Sequence, residues 1–367
     1  MKKERNSTIE LLRIICICMV VVQHFCETSM LGGLEIIKNN NDAVGFAFFS
    51  FVYCIARVAV NIFILISGYF SIESYNRPIG KPLTLFFMAT GYGVFSFFIR
   101  CLSGVRLFDI KGLIVAAIPK NYYVSLFSVL YLISPYINWE INRLKERTYR
   151  ELLLLSFLLF SVWSTASNIM ASVYEMDWVG IYSISMNGTD GGFSIVNFVL
   201  LYIVGGYIRK NCKIILGIRK IYYIIGFFGI ATLNTAVKLT GARISDVLLG
   251  YDSVMIIAQA VCLFCLFLKI EIKNNKIINA FAERVFGVFL VHYIVIKSIA
   301  RVFNIEKWLS RGILSSTLFL VITIVLGVLI SAVIDLIFHK ILNPISRKWK
   351  KTKVYNICLN DSLLEEC

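Results

Sequence analysis

Two ionisable side chains, Arg13 and His24, stand eleven residues apart inside the first apolar run of this chain, Ile9 to Phe25. Ionisable groups are expensive in a hydrocarbon layer and usually mark a working site. Eleven residues at 100° each make almost three helical turns. In one helix both side chains therefore share a face, separated by about 16 Å along the axis. Histidine accepts and returns a proton near neutral pH, and an arginine fork suits phosphate. A cation near one surface and a base deeper in fit a reagent that enters from one side and reacts further across. Two plainer readings stay open. Glu10, one turn before Arg13, can neutralise it as an i,i+3 pair, and His24 can be satisfied between helices.

Arg57 lies in the second apolar run, fourteen residues before its end at Ser71. That places it roughly 21 Å from the cytoplasmic edge, against roughly 22 Å for His24 counted from Ile9. If the two face one cavity, the cation disfavours protonation of the imidazole and can stabilise an oxyanion. The alternative is a structural arginine capped by carbonyls of neighbouring helices. His292, in Phe286-Gly287-Val288-Phe289-Leu290-Val291-His292-Tyr293, falls near mid-membrane as a second base, a ligand-positioning group or a packing residue. Arg77 and Lys81, in the next cytoplasmic loop, can assist a polyanionic donor or be ordinary loop charges. Asn61, Asn197, Asn234 and Gln259 read as interhelical hydrogen-bonding residues.

These residues must be positioned by membrane helices. The chain is 58% hydrophobic and 16% charged over 367 residues, with mean hydropathy +0.77, more apolar surface than a soluble fold of this length can hide. Ten spans are expected, at 9–30, 44–71, 82–104, 121–139, 152–173, 192–208, 214–237, 247–268, 280–300 and 313–338. With the N-terminus in the cytoplasm, the inside segments carry 23 Lys and Arg against 9 outside, as the positive-inside rule asks. The expectation is an all-α integral membrane protein of about ten transmembrane helices around a central polar cavity, with both termini cytoplasmic. Residues 1–343 form the membrane domain and 344–367 a basic tail.

The same bias accounts for the net charge of +15 without a nucleic-acid partner. The tail cluster Arg347-Lys348-Trp349-Lys350-Lys351-Thr352-Lys353 is expected against anionic lipid headgroups. The basic start before an apolar run resembles a secretory signal, but Arg13 and His24 interrupt it and no small-residue cleavage site follows. It is expected to stay as the first helix. Cys16, Cys18, Cys54, Cys262 and Cys265 read as small apolar helix residues, and no cysteine or histidine spacing suggests zinc, so no metal is expected.

The residues resemble the membrane-bound acyltransferase 3 family. Asn6-Ser7-Thr8-Ile9-Glu10-Leu11-Leu12-Arg13, followed by His24, is similar to the family's R-x10-H signature. Arg57 through Ser67-Gly68-Tyr69-Phe70 resembles its arginine-to-Ser-Gly-Tyr stretch, with Asn61 where many members have proline. Tyr131-Leu132-Ile133-Ser134-Pro135-Tyr136-Ile137-Asn138, Leu201 to Arg209 with Gly205-Gly206-Tyr207, and Gly287 to His292 follow in order. The resemblance implies transfer of an acyl group, usually acetyl, from cytoplasmic acetyl-CoA to a hydroxyl of an extracytoplasmic carbohydrate, a surface polysaccharide or lipid-linked glycan. It makes Arg13 and His24 the essential pair; Glu10, Arg57, Ser67, Arg77 and His292 are further candidates for donor or substrate binding. It also implies a multi-pass protein of the cell membrane, of the stand-alone type without a fused hydrolase-like domain.

Under that reading His24 is a general base, or else carries the acyl group covalently. The rival from another class is a transporter or flippase for a glycan, lipid-linked sugar or small anion, which lacks the internal repeat many transporters show. A structural subunit of a glycan-assembly complex is a third reading. The loop from Tyr174 to Asp190, with Glu175, Asp177, Trp178 and Tyr182, is a candidate sugar-binding lip.

Overall fold

The computed structural model describes residues 5–76, 78–174 and 191–349, with side chains up to residue 340. Among these residues every regular element is helical. The main helices are α1 (Ser7–Cys26), α2 (Ala43–Ser71), α3 (Gly80–Leu102), α4 (Tyr122–Arg143), α5 (Glu146–Tyr174), α6 (Ile195–Lys210), α7 (Lys220–Leu239), α8 (Val254–Leu268), α9 (Val285–Val302) and α10 (Ile313–Trp349). Each expected span coincides with one of them.

Eight are long and apolar enough to cross a membrane, α4 together with the short helix Ile110–Ala117 before it. The sixth and eighth expected spans, α6 and α8, have only 16 and 15 residues. A hydrocarbon core needs about 20. Both pack on α2, so their polar ends can be satisfied by protein instead of lipid. Arg77, the lip at residues 175–190 and the tail from residue 350 lie outside the described residues.

α1 sits at the centre. It packs against α2, α8, α9 and α10 and the short helix Lys276–Ala282, and Leu12, Cys16, Ile17 and Val21 are fully buried. Asn6 caps its start, accepting from the Thr8 and Ile9 amides through its side-chain oxygen, an ordinary N-cap. The helix ends where Glu27 turns extended.

The stretches that carry the family resemblance serve packing. A Cβ on Gly68 would meet the carbonyl oxygen of Tyr202, and one on Gly205 would meet that of Leu65. Ser67-Gly68-Tyr69 and Gly205-Gly206-Tyr207 are thus the two sides of the α2–α6 crossing, where missing side chains let backbones touch. Asn138, at the end of the Tyr131 stretch, donates to the Ser71 and Ser74 carbonyls at 2.7 Å each and accepts from the Tyr202 hydroxyl at 2.9 Å. One asparagine thereby closes the C-terminus of α2.

α2 is broken at Arg57 and Val58 into Ala43–Ala56 and Ala59–Ser71. Carbonyls freed by a break must find partners inside the protein. Gln23 donates to Ala56 O at 2.8 Å and Gln259 to Cys54 O at 3.3 Å. Asn61, just past the break, donates to Tyr251 O at 2.7 Å. Of the expected bridging amides, Asn61 and Gln259 tie separate segments. Asn197 reaches only Gly192 O nearby, and the Asn234 amide is buried with no partner among the described residues.

Replacing Gly68 or Gly205 by leucine is expected to cost at least about 2 kcal/mol through overpacking against backbone. Gly229, on an exposed part of α7 with nothing within 4 Å of its Cβ position, is the control. Thermal melts and size-exclusion profiles of detergent-solubilised Gly68→Leu, Gly205→Leu and Gly229→Leu should separate the first two from the third.

Candidate functional site

In the last turn of α1, His24 stacks on His292 of α9 with ring centroids 5.0 Å apart and planes at 20°. Tyr293 meets the same imidazole edge-on at 6.0 Å. His292 is buried, and its Nδ1 lies 2.7 Å from Phe289 O and 3.2 Å from Val288 O. A carbonyl can only accept, so Nδ1 carries the hydrogen and Nε2 is left as a lone pair. That Nε2 is buried with no hydrogen-bond partner among the described residues.

On the other side of His24 stands a charge network. His24 Nδ1 is 3.6 Å from Glu27 Oε2, within ion-pair reach and slightly beyond hydrogen-bond length. Glu27 Oε1 accepts from Arg57 at 2.9 Å and from the Tyr53 hydroxyl at 3.3 Å. Arg57 also donates to Leu249 O at 2.9 Å and Gln23 Oε1 at 3.3 Å, and its guanidinium lies 4.3 Å from the centre of the Tyr251 ring. Tyr251 in turn donates to Gln23 Oε1 at 2.6 Å. The guanidinium is thus clasped by a carboxylate, an amide, a carbonyl and an aromatic face. Glu27, one residue past the end of α1, has its carboxyl held below the usual value. Burial pushes the other way, but the His24 contact and the charge of Arg57 outweigh it.

Near the opposite end of α1, Arg13 pairs with Glu10 at 3.2 Å, its side chain 37% exposed and that of Glu10 11%. On the side of the helix that Arg13 shares with His24, the intervening Ile17, Val20 and Val21 are buried. The two polar ends are therefore separated by a packed apolar seam. A 320 Å³ recess between α3, α9 and α10, lined by Phe95, Ile99, Val295 and Ile299 among others, is almost wholly apolar and contains none of these residues.

A family model described as an acyltransferase domain matches residues 6–336. The chain belongs to the acyltransferase 3 family. No curated protein and no solved structure matches it. As an acyltransferase of this family, and with eight helices long and apolar enough to cross a membrane among the described residues, it is a multi-pass membrane protein. His24 and Arg57, placed at one depth by counting, and His292, placed near mid-membrane, come together in this acyltransferase through Glu27 and ring stacking. Arg57 does not stand open beside the imidazole as an oxyanion donor; the intervening carboxylate engages it. Arg13 and Glu10 form a separate ion pair near the other end of α1. Ser67 is apart from both, its hydroxyl donating to Phe63 O at 2.9 Å, a backbone contact of its own helix. Among the described residues no group of three His, Cys, Asp or Glu could hold a metal.

Glu27, Gln23, Tyr53 and Tyr251 were not singled out from sequence. The signal for Glu27 was present: it follows His24 at i,i+3, the spacing that links Glu10 and Arg13. Removing the guanidinium while keeping its partners takes the counter-ion from the half-buried Glu27 carboxylate and the Arg57 donor from Leu249 O. Arg57→Met is expected to destabilise the protein by on the order of 2 kcal/mol, read as a lowered thermal midpoint in detergent.

Proposed function

We propose that this acyltransferase moves an acetyl group from cytoplasmic acetyl-CoA to a hydroxyl of an extracytoplasmic glycan, with His24 as general base. The observation carrying the reading is the half-buried imidazole at one end of α1 on the same face as an exposed arginine at the other. With the N-terminus inside, Arg13 lies at the cytoplasmic mouth and exchanges its Glu10 contact for donor phosphate. The donor's thioester extends along α1 toward His24. The lone pair on His24 Nε2 takes the proton of the acceptor hydroxyl as its oxygen attacks the thioester carbon. The tetrahedral adduct then expels the CoA thiolate, and the imidazolium proton leaves with it, giving an ester and free CoA. The unpartnered Nε2 of His292, beside the reacting ring, suits a neighbouring sugar hydroxyl.

The test is NMR of the producing cell's surface polysaccharide for ester-linked acetyl, in wild type, a deletion strain, and the deletion restored with wild-type or His24→Ala protein at matched levels. Acetyl should disappear on deletion and stay absent with His24→Ala, since losing a general base costs about 10²–10⁴ in rate. Full restoration by His24→Ala removes the base assignment. Saturable acetyl-CoA binding that weakens in Arg13→Ala is expected here and not for a flippase. A labelled acetyl adduct on His24 formed without acceptor would replace direct transfer by a covalent intermediate.

A further inference from the structure

We infer that Glu27 is the positioning carboxylate for His24: it selects the imidazole tautomer with hydrogen on Nδ1, leaves Nε2 free for the acceptor hydroxyl, and is itself held by Arg57. The inference rests on the reading of His24 as the base.

The two oxygens of Glu27 are divided between tasks. Oε1 takes the Arg57 guanidinium at 2.9 Å and the Tyr53 hydroxyl at 3.3 Å. Oε2 faces His24 Nδ1 at 3.6 Å. That nitrogen is buried and has no hydrogen-bond partner among the described residues, so the carboxylate is the acceptor that the fold places beside it. An ionised carboxylate only accepts, hence the ring nitrogen facing it bears the hydrogen. Nε2 is then the basic site, the one needed to take a proton. His292 needs no such help, because backbone carbonyls already hold its Nδ1.

Glu27 cannot drift from this position easily. It is the C-cap of α1, its amide donating to Gln23 O at 2.9 Å, so helix geometry ties its backbone to that of His24. Arg57 fixes the carboxylate from outside and is fixed in turn by Leu249 O and Gln23. The titratable and charged groups around His24 are then Glu27 from its own helix end, Arg57 and Tyr53 from α2 behind that carboxylate, and His292 and Tyr293 from α9. Lys297 lies 4.8 Å from the centre of the Tyr293 ring, and Tyr251 acts through Gln23. Of these, Glu27 carries the negative charge. When a proton arrives on Nε2, the imidazolium forms beside that charge, the service a buried carboxylate gives histidine in acyl-transfer triads.

The experiment uses the full chain in lipid nanodiscs, with labelled acetyl-CoA as donor and the producing cell's surface glycan, stripped of esters by mild alkali, as acceptor. Glu27→Gln should lower kcat at least about tenfold with KM for acetyl-CoA unchanged. The acid limb of its rate profile should move to lower pH, because the imidazolium loses its negative partner. Glu27→Asp should recover part of the rate. Glu27→Gln leaves Arg57 uncompensated and can destabilise the protein, so Glu27→Gln/Arg57→Met, which removes both charges, is the decisive variant. Its thermal midpoint should rise above that of Glu27→Gln while kcat stays low. If kcat of the double variant returns to the wild-type value, Glu27 merely neutralises Arg57 and the inference is overturned. An unmoved acid limb in Glu27→Gln overturns it as well. His24→Gln separates the two ideas: if it is active, the base reading has failed. If it is inactive while the Glu27 variants behave as wild type, only the positioning role has failed.

Discussion

A guanidinium inside a membrane helix has no water to solvate it, and satisfying Arg57 sets the arrangement around it. Its ligands come from separate parts of the chain: Glu27 and Gln23 at the end of α1, and Leu249 in the segment before α8. Tyr53 and Tyr251 flank it with their rings. Two of these residues do a second job. Gln23 also takes up the Ala56 carbonyl released by the break in α2, and Tyr251 O holds Asn61 on the far side of that break. The interruption of α2 and the neutralisation of Arg57 are one construction, because the polar groups freed by the first are bound by the partners of the second. Such a network is stable only when complete, since a single missing partner strands a buried polar atom.

The family's recognisable stretches divide into two kinds. Ser67-Gly68-Tyr69, Gly205-Gly206-Tyr207 and Asn138 build the contact between α2, α4 and α6, where backbones approach too closely for side chains. The two stacked imidazoles, the candidates for chemistry, sit on α1 and α9. A closely packed frame therefore lies on one side of α1, and the candidate reacting groups project from α1 itself and from the helix beside it.

Much of this was legible in the sequence. Apolar runs located the eight helices long and apolar enough to cross a membrane, because hydropathy over about twenty residues is a strong signal. Residue counting along two helices placed His24 and Arg57 at one depth. The shortness of α6 and α8 was less visible, as their flanks are also apolar and the spans were drawn long. The break at Arg57 had no local mark: neither proline nor glycine stands there, and the bonds that tolerate it come from residues far away in the chain. Glu27 fell just beyond the apolar run, where a carboxylate looks like the beginning of a loop. The stacking of His292 on His24 joins positions 268 residues apart, and helix pairing of that kind cannot be read from periodicity.

The packed seam of Ile17, Val20 and Val21 has a consequence for the cell's energy balance. A continuous file of water between the two polar ends of α1 would conduct protons, and a membrane that maintains a proton gradient cannot carry such a leak. Apolar side chains in close contact interrupt any such file. With the seam closed, the two polar ends of α1 are insulated from each other along this face, and the proposed transfer would have to open a path for a thioester arm without opening one for hydronium.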